Sequence, residues 1–488
     1  MTRRPVLLTI TAAQALSVAS ASVVAVALPQ LGRDLDASAS ELQWVVDAFV
    51  IVFASLLVAG GVLGDRVGRR TTFLAGLSLF ALGSLWCALA PSVPALLVGR
   101  VVQGVGPALL LPASLALVTA IFPDAVERAR AIGVWATGSG LGLASGPTVG
   151  GILVEAFDWR AVFAINVPLA AALLVVGVRG LPRLPPTPSP HRFDVGGALL
   201  LTGGIAALCF AIIEGRTLGW GSPGIVASAA LAAVLLAGFL RWEQGRPEPL
   251  VVPALLLQRT FLAANLAGGT VFFALIGGTV YFTAFFQQVQ GRSALESGFC
   301  MLPLGLAVVL VAPLAGRLTP RLGAGRLMLA GLAVAATATL LMLRLEPGLG
   351  YGAIWWNVAL VGVGTGLALP PMTVTALSAV DPARTGMASA VHNASRQVGQ
   401  TLGVAVLGTI IAAHAGAAAD GGRALRGVAA EDWVDGLHVA LVVAAALLVA
   451  VAVAVAALVR PGSGGPPAAA TTGTVARPAG PEPLRPAA

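Results

Sequence analysis

The stretch "GVLGDRVGRRTTF", Gly61 to Phe73, separates two apolar runs and places four charges within six residues. Glycines at 61, 64 and 68 allow two helices to meet on a short turn, while Asp65, Arg66, Arg69 and Arg70 crowd one small loop. Such a group suits a tight turn that keeps its arginines on one side of a membrane. It also suits a charge latch, because Asp65 can pair with Arg69 across one helical turn or face the positive N-terminal end of another helix.

The surrounding chain decides that a membrane is involved. Of its 488 residues 57% are hydrophobic and only 10% charged, with a mean hydropathy of +0.91, where soluble domains carry about 25% charged residues. The net charge of +8 is entirely arginine, with no lysine, spread over short connecting segments rather than gathered into a basic block with aromatics. That spread argues against nucleic acid binding and for membrane topology. Cys87, Cys209 and Cys300 lie far apart in apolar surroundings and have no metal-ligand spacing, so they read as small buried hydrophobes. The N-terminus, "MTRRPVLLTITAAQALSVASASVVA", imitates a secretory signal, but its apolar run continues unbroken into "VALP" and further spans follow at once.

An apolar helix of roughly 20 residues crosses a hydrocarbon core about 30 Å thick. By that ruler the chain holds fourteen spans, centred on residues 8–29, 44–63, 71–90, 93–120, 131–154, 161–179, 195–214, 222–240, 261–285, 297–316, 325–344, 352–378, 397–414 and 437–459. They read as helices, because backbone in lipid must satisfy its own hydrogen bonds and the alternation of a membrane barrel is absent. With the N-terminus in the cytoplasm, twenty-one of the 29 basic residues fall in cytoplasmic segments and seven in outer ones. This satisfies the positive-inside rule and places both termini in the cytoplasm. A Pro-rich linker, "LPRLPPTPSPHRFD", follows span six, and the tail from Pro461 reads as disordered. The expected organisation is therefore a six-helix bundle over 1–179, a linker with two inserted helices over 180–260, a second six-helix bundle over 261–460 and a disordered cytoplasmic tail over 461–488. "GRLTPRLGAGR" after span ten echoes the opening stretch after span two, as in transporters with repeated halves.

The remaining basic residue, Arg100 in "LLVGRVVQGVGPALLLP", lies inside span four, roughly 10 Å from its start at 1.5 Å per residue. A charge at that depth costs a few kcal/mol and normally finds a partner or a water-filled cavity. Asp47 in "LQWVVDAF" is the acid of the first six spans closest to it in depth, about one turn into span two.

Three motifs give the chain a resemblance to the major facilitator superfamily: "GVLGDRVGRR" between spans two and three, "GRVVQGVG" with Arg100, Gln103 and Gly104 in span four, and "GSGLGLASGPTVGG" with Gly138, Gly142, Gly146, Pro147, Gly150 and Gly151 in span five. The fourteen-span layout, with "WRAVFAINVPL", "RTFLAANLAG" and "GMASAVHNASRQVGQTLGVAV" at spans six, nine and thirteen, is similar to the drug:proton antiporter branch up to about Arg460. The resemblance implies an all-α integral membrane fold of two six-helix bundles plus two inserted helices. It implies alternating access around a midplane pocket, protons moving in against drug out. Asp65, with Gly61, Gly64, Arg66, Gly68, Arg69 and Arg70, would latch to the start of span thirteen near Arg396 to Gly399. The span-five motif is associated in this family with export, although close helix packing alone would also use those glycines.

The chain departs from the family in span one, where Ser20 and Ala25 stand at positions that carry an acid and an Asn in many members. Asp47, Arg100 and Gln103 are therefore the candidate proton-coupling group, since desolvation and a nearby arginine pull a carboxyl's proton affinity in opposite directions. Asp47 could equally anchor the end of span two beside Trp44. Gln14, Ser20, Phe49, Trp135, Asn265, Phe272, Phe273, Tyr281, Trp355 and Asn357 are the candidate lining of a cavity for a small amphipathic organic substrate. Glu214 and Glu296 read as solvated helix ends, and His392 and Asn393 as caps preceding span thirteen. No cofactor, metal or catalytic residue is expected, because no HExxH, GxSxG or P-loop motif occurs. The function expected is proton-coupled efflux of drugs or antibiotics by a monomer in the plasma membrane, with a dedicated, differently driven exporter of one metabolite or lipid as the alternative. The Arg-for-Lys bias and abundant Ala and Gly point to an actinobacterial cell.

Overall fold

A computed structural model of the chain describes residues 3–183, 194–244, 246, 249–381, 384–415 and 425–459. Fourteen long helices account for most of them: α1 (Arg3–Asp34), α2 (Ala39–Val67), α3 (Arg69–Ala88), α4 (Val93–Ile121), α5 (Ala125–Ala156), α6 (Ala161–Gly180), α7 (Val195–Leu218), α8 (Pro223–Gln244), α9 (Arg259–Ala284), α10 (Ala294–Leu322), α11 (Ala324–Leu341), α12 (Trp355–Ser378), α13 (Thr385–Ala415) and α14 (Val428–Leu458). Among the described residues there is no strand. Thirteen of these helices are long and apolar enough to cross a membrane. The other, α5, has 32 residues but carries Gly, Ser and Thr where its neighbours carry Leu and Val. The tail over 461–488 and most of the Pro-rich linker lie outside the described residues.

Several helices outrun the apolar windows that mark them in the sequence. Span thirteen is the largest correction: α13 begins at Thr385 rather than near 397, so "GMASAVHNASRQ" is helix interior and not a leading loop. Span fourteen likewise begins at Val428 rather than 437. The hydropathy ruler detects lipid contact, whereas the polar residues of α13 face other helices, where polarity does not end a helix.

Two six-helix groups pack side by side. In the first, α1 packs on α5, and α4 on both α2 and α3; in the second, α9 packs on α13, and α12 on both α10 and α11. The inserted α7 and α8 pair with each other, and α7 rests on both α2 and α13 across the seam between the groups. The repeated design is visible in the helix ends. Ser38 with Glu41 and Ser293 with Glu296 form capping boxes at the starts of α2 and α10. At their other ends Gly68 (φ 109°) and Gly323 (φ 85°) each serve as a one-residue turn into the next helix. Positive φ at that turn is strained for any residue with a Cβ, so the echo between "LGDRVGRR" and "LTPRLGAGR" is an echo of backbone geometry.

Helices in lipid gain little from hydrophobic attraction to one another and associate through close packing of small residues. The glycines of α5 serve two faces. A methyl built on Gly138 would come within 2.6 Å of the Thr11 carbonyl, and one on Gly142 within 2.6 Å of Val18 Cβ; Gly146 and Gly150 press on Ser22 and Val23 of the same helix, α1. On the opposite side Gly133 and Gly140 lie against the backbone of α10, and Gly151 against Leu295. Pro147 lies within α5. Gly142→Ala should therefore lower the thermal unfolding midpoint of the detergent-solubilised chain, with a strain of about 1–3 kcal/mol. Gly224→Ala, where no atom lies within 4 Å of the added methyl, should leave it unchanged. Equal midpoints for the two variants would show that the α1–α5 contact is not close-packed.

Candidate functional site

Arg100 is fully buried in α4. Its Nε donates to the Val45 carbonyl at 2.8 Å and its Nη1 to Gln103 Oε1 at 2.6 Å. The Phe49 ring lies 4.4 Å from the guanidinium carbon and Phe163 5.9 Å. Neutral oxygens and aromatic faces thus surround the charge, both of which attract a desolvated guanidinium. Gln103 transmits the arrangement outward: its Nε2 donates to Ser84 Oγ at 2.7 Å and Ser20 Oγ at 3.2 Å. Ser20 also accepts from Asn166 Nδ2 at 3.4 Å. The serine that replaces the family's span-one acid is therefore an acceptor in the arginine's own network.

Asp47 is buried beside this group, hydrogen-bonded by Gln43 and within electrostatic reach of Arg100, but no ion pair within 4 Å joins them among the described residues. Among the described residues its Oδ2 has no hydrogen-bond partner. The second carboxyl within reach is Glu214 of α7. Here the structure corrects the sequence reading. Glu214 is buried, only 4% exposed, because α7 packs along α2, as the 5.8 Å contact of Trp44 with Phe210 shows. Glu296, by contrast, is the exposed capping residue of α10.

The opening stretch joins the two groups of helices. Asp65 accepts from the backbone N–H groups of Gly386 and Met387, each at 3.2 Å, and from Arg69 Nε at 3.3 Å. The first two bonds cap the N-terminus of α13, where unpaired N–H groups and the helix dipole favour an anion. This contact falls at Gly386 and Met387, not near Arg396 to Gly399, because α13 begins three turns earlier than its apolar window. Gly61 makes the approach possible: a methyl there would come within 2.5 Å of both Ala390 Cβ and the Gly386 carbonyl. Gly64 faces Thr72 at ordinary contact distance. Arg69 and Arg70 donate to the Ala116 and Val178 carbonyls, and Arg66 is half-buried on the last turn of α2.

A third polar group lies where the two bundles meet, along α1, α5, α9 and α13. Arg396, read from the sequence as a loop residue, is 6% exposed and lies roughly 16 Å along α13 from its start. Phe272 stacks 4.0 Å from its guanidinium carbon and Trp135 of the opposite bundle lies at 6.0 Å. His392, one turn away and fully buried, faces Asn265 Oδ1 at 3.3 Å and Thr373 Oγ1 at 3.4 Å. It is an interior residue, not a helix cap. Trp135 donates to Ser114 at 3.1 Å, and Gln14 of α1 donates to Ser139, one turn along α5. Gln14, Trp135, Asn265 and Phe272 of the expected lining are thus brought together, while Ser20 and Phe49 belong to the Arg100 network. Phe273 and Tyr281 pack in the second bundle, where the Tyr281 hydroxyl donates to the Val404 carbonyl at 2.6 Å. Trp355 is half-exposed and Asn357 accepts from Arg344 at 3.0 Å. Sequence reading missed His392 and Arg396 because it began the helix too late; the pattern "HNASRQ", with His and Arg one helical turn apart, was the available signal.

A family model for the Major Facilitator Superfamily matches residues 10–404. The chain belongs to that superfamily of membrane transporters. It is 35% identical over 467 residues, 88% of this chain and 87% of the relative, to the multidrug resistance protein Stp of Mycobacterium tuberculosis (strain CDC 1551 / Oshkosh). It is also 35% identical over 419 residues, 84% and 76% of the two chains, to the tetracenomycin C resistance and export protein of Streptomyces glaucescens. The crystal structure of the human organic anion transporter MFSD10 (TETRAN) shares the fold, with a TM-score of 0.66 at 17% identity over 93% of this chain and 100% of that one.

Replacement of Asp65 by Asn tests the contact between bundles. An amide has one acceptor oxygen in place of two and turns its own donors toward one of the α13 N–H groups. Amide hydrogen exchange at Gly386 and Met387 should accelerate at least tenfold in Asp65→Asn; unchanged protection would show that the carboxylate does not hold α13.

Proposed function

We propose that the chain exports amphipathic drugs or antibiotics across the plasma membrane by alternating access, driven by inward proton movement. It would act as a monomer without a cofactor, with both termini in the cytoplasm of an actinobacterial cell. The carrying observation is the Asp65 contact with Gly386 and Met387. It ties the two bundles at one end through two hydrogen bonds from backbone N–H groups, the kind of contact a rocking transporter must make and break. The names of the relatives support the cargo class, and the aromatic, sparsely charged junction of α1, α5, α9 and α13 suits an amphipathic molecule.

For the coupling we assign Asp47, with Arg100 and Gln103 as its electrostatic setting. A buried carboxyl holds a proton more readily as a neighbouring cation withdraws and loses it as the cation approaches. The burial of Asp47 between the Arg100 network and Glu214, with one oxygen unpartnered among the described residues, supports this assignment. Relative movement of α2 and α4 would change its distance from Arg100.

Expression in an efflux-deficient host should confer resistance to several amphipathic antibiotics and dyes, abolished by an uncoupler. Resistance to one compound alone would instead identify a dedicated exporter. In inverted vesicles an imposed pH gradient should drive uptake of those compounds. Asp47→Asn should lose that dependence by at least tenfold while retaining downhill exchange. A folded Asp47→Asn protein with unchanged pH dependence would overturn the coupling assignment.

A further inference from the structure

Arg396 is the buried cation for which the chain provides least. Arg100 donates from two of its nitrogens to oxygens held 2.8 Å and 2.6 Å away, and only its Nη2 is buried without a partner among the described residues. Arg396 donates once, from Nη1 to Asn393 Oδ1 at 3.2 Å. Among the described residues its Nε is buried without a partner, and none is found for Nη2. Those two nitrogens form one edge of the guanidinium, the edge whose parallel N–H bonds match the two oxygens of a carboxylate. No carboxylate of the described residues forms an ion pair with it. The guanidinium lies instead against Phe272 and toward Trp135, so it is enclosed by apolar and aromatic surface from both bundles.

The surroundings show that this is a held position rather than a passing one. The arginine stem packs on Gly268 of α9, where an added methyl would come within 3.3 Å of Arg396 Cγ and 2.9 Å of His392 Cε1. On α1, Gln14 Oε1 and Thr11 Oγ1 are also buried without partners among the described residues, where that helix packs against Gly138 of α5. An unpaired buried guanidinium costs several kcal/mol unless a counter-charge arrives.

We infer that Arg396 binds the anionic group, a carboxylate or its equivalent, of an amphipathic aromatic substrate whose apolar body rests on Trp135 and Phe272. The inference rests on the export reading and narrows its cargo. Substrates would carry a negative charge separated from their ring system by a short spacer. Because Trp135 belongs to α5 and Phe272 and Arg396 to the other bundle, such a substrate would bridge the two halves, and its charge would satisfy an arginine that neither half satisfies.

Three probes with one ring and different charges test this: 1-naphthylacetate, 1-naphthylacetamide and 2-(1-naphthyl)ethylammonium. Binding to the full-length chain in nanodiscs, measured by equilibrium dialysis against empty nanodiscs, should favour the carboxylate at least tenfold over both others. Arg396→Gln should abolish that preference and Arg396→Lys should restore part of it. Equal affinities for the three probes on the unmodified chain, or an unchanged preference in Arg396→Gln, would overturn the inference; the first result does not depend on whether any variant folds. Gradient-driven uptake of the same probes into inverted vesicles separates this inference from the export reading. Equal uptake of all three would uphold export and refute the anion site. Selective binding of the carboxylate through Arg396 with no driven uptake of any probe would uphold the anion site and refute export.

Discussion

The close approach of α5 to α1 on one face and α10 on the other is the contact on which the rest of the structure depends. Lipid offers these helices no hydrophobic reason to meet, so the glycine rows let backbone and Cβ atoms come near enough for dispersion to hold them. The rows also define two different neighbours: Gly138 and Gly142 face α1 in the same bundle, while Gly133 and Gly140 face α10 in the other. One helix therefore belongs to both halves, and Trp135 on that helix reaches Arg396 across the junction.

Electrostatics within the bundle follow from that packing. Arg100 and Arg396 are both deeply buried, yet they are treated differently. Arg100 is enclosed by a carbonyl, an amide and two phenylalanines, and its partner Gln103 is fixed by serines on two other helices. Arg396 has one amide and an aromatic face. In a medium where an unmet charge is expensive, Arg396 is the less satisfied of the two, with one hydrogen bond against two. Asp65 is a third case. Its partners are Arg69 of its own bundle and the end groups of α13 in the other.

Much of this was legible in the residues themselves. The glycines of "LGDRVGRR" and of α5, the charge of Arg100 and the apolar windows all report constraints acting within one helix or one turn. The misplaced start of span thirteen has a clear cause: Ser389, His392, Asn393 and Arg396 are polar and interior, and a scale that scores transfer to lipid counts such residues as water-facing. The same error hid Glu214, whose polarity suggests a solvated end until α2 is seen to cover it.

What the sequence by itself determined is the class of protein: the number and order of spans, the turn geometry at Gly68 repeated at Gly323, and the residues that permit close packing. These are local properties, set by composition and by which backbone conformations a glycine allows. Tertiary structure alone decided the partners. Val45 and Gln103 serve Arg100 where a carboxylate was expected, Asp65 meets Gly386 and Met387, and Arg396 is left facing Trp135. Apart from Gln103, which lies one turn from Arg100 on α4, each pairing joins residues from different helices, 55 positions apart for Arg100 and Val45 and 321 for Gly386 and Asp65. The distances that decide which oxygen answers a buried charge exist only once the helices have packed.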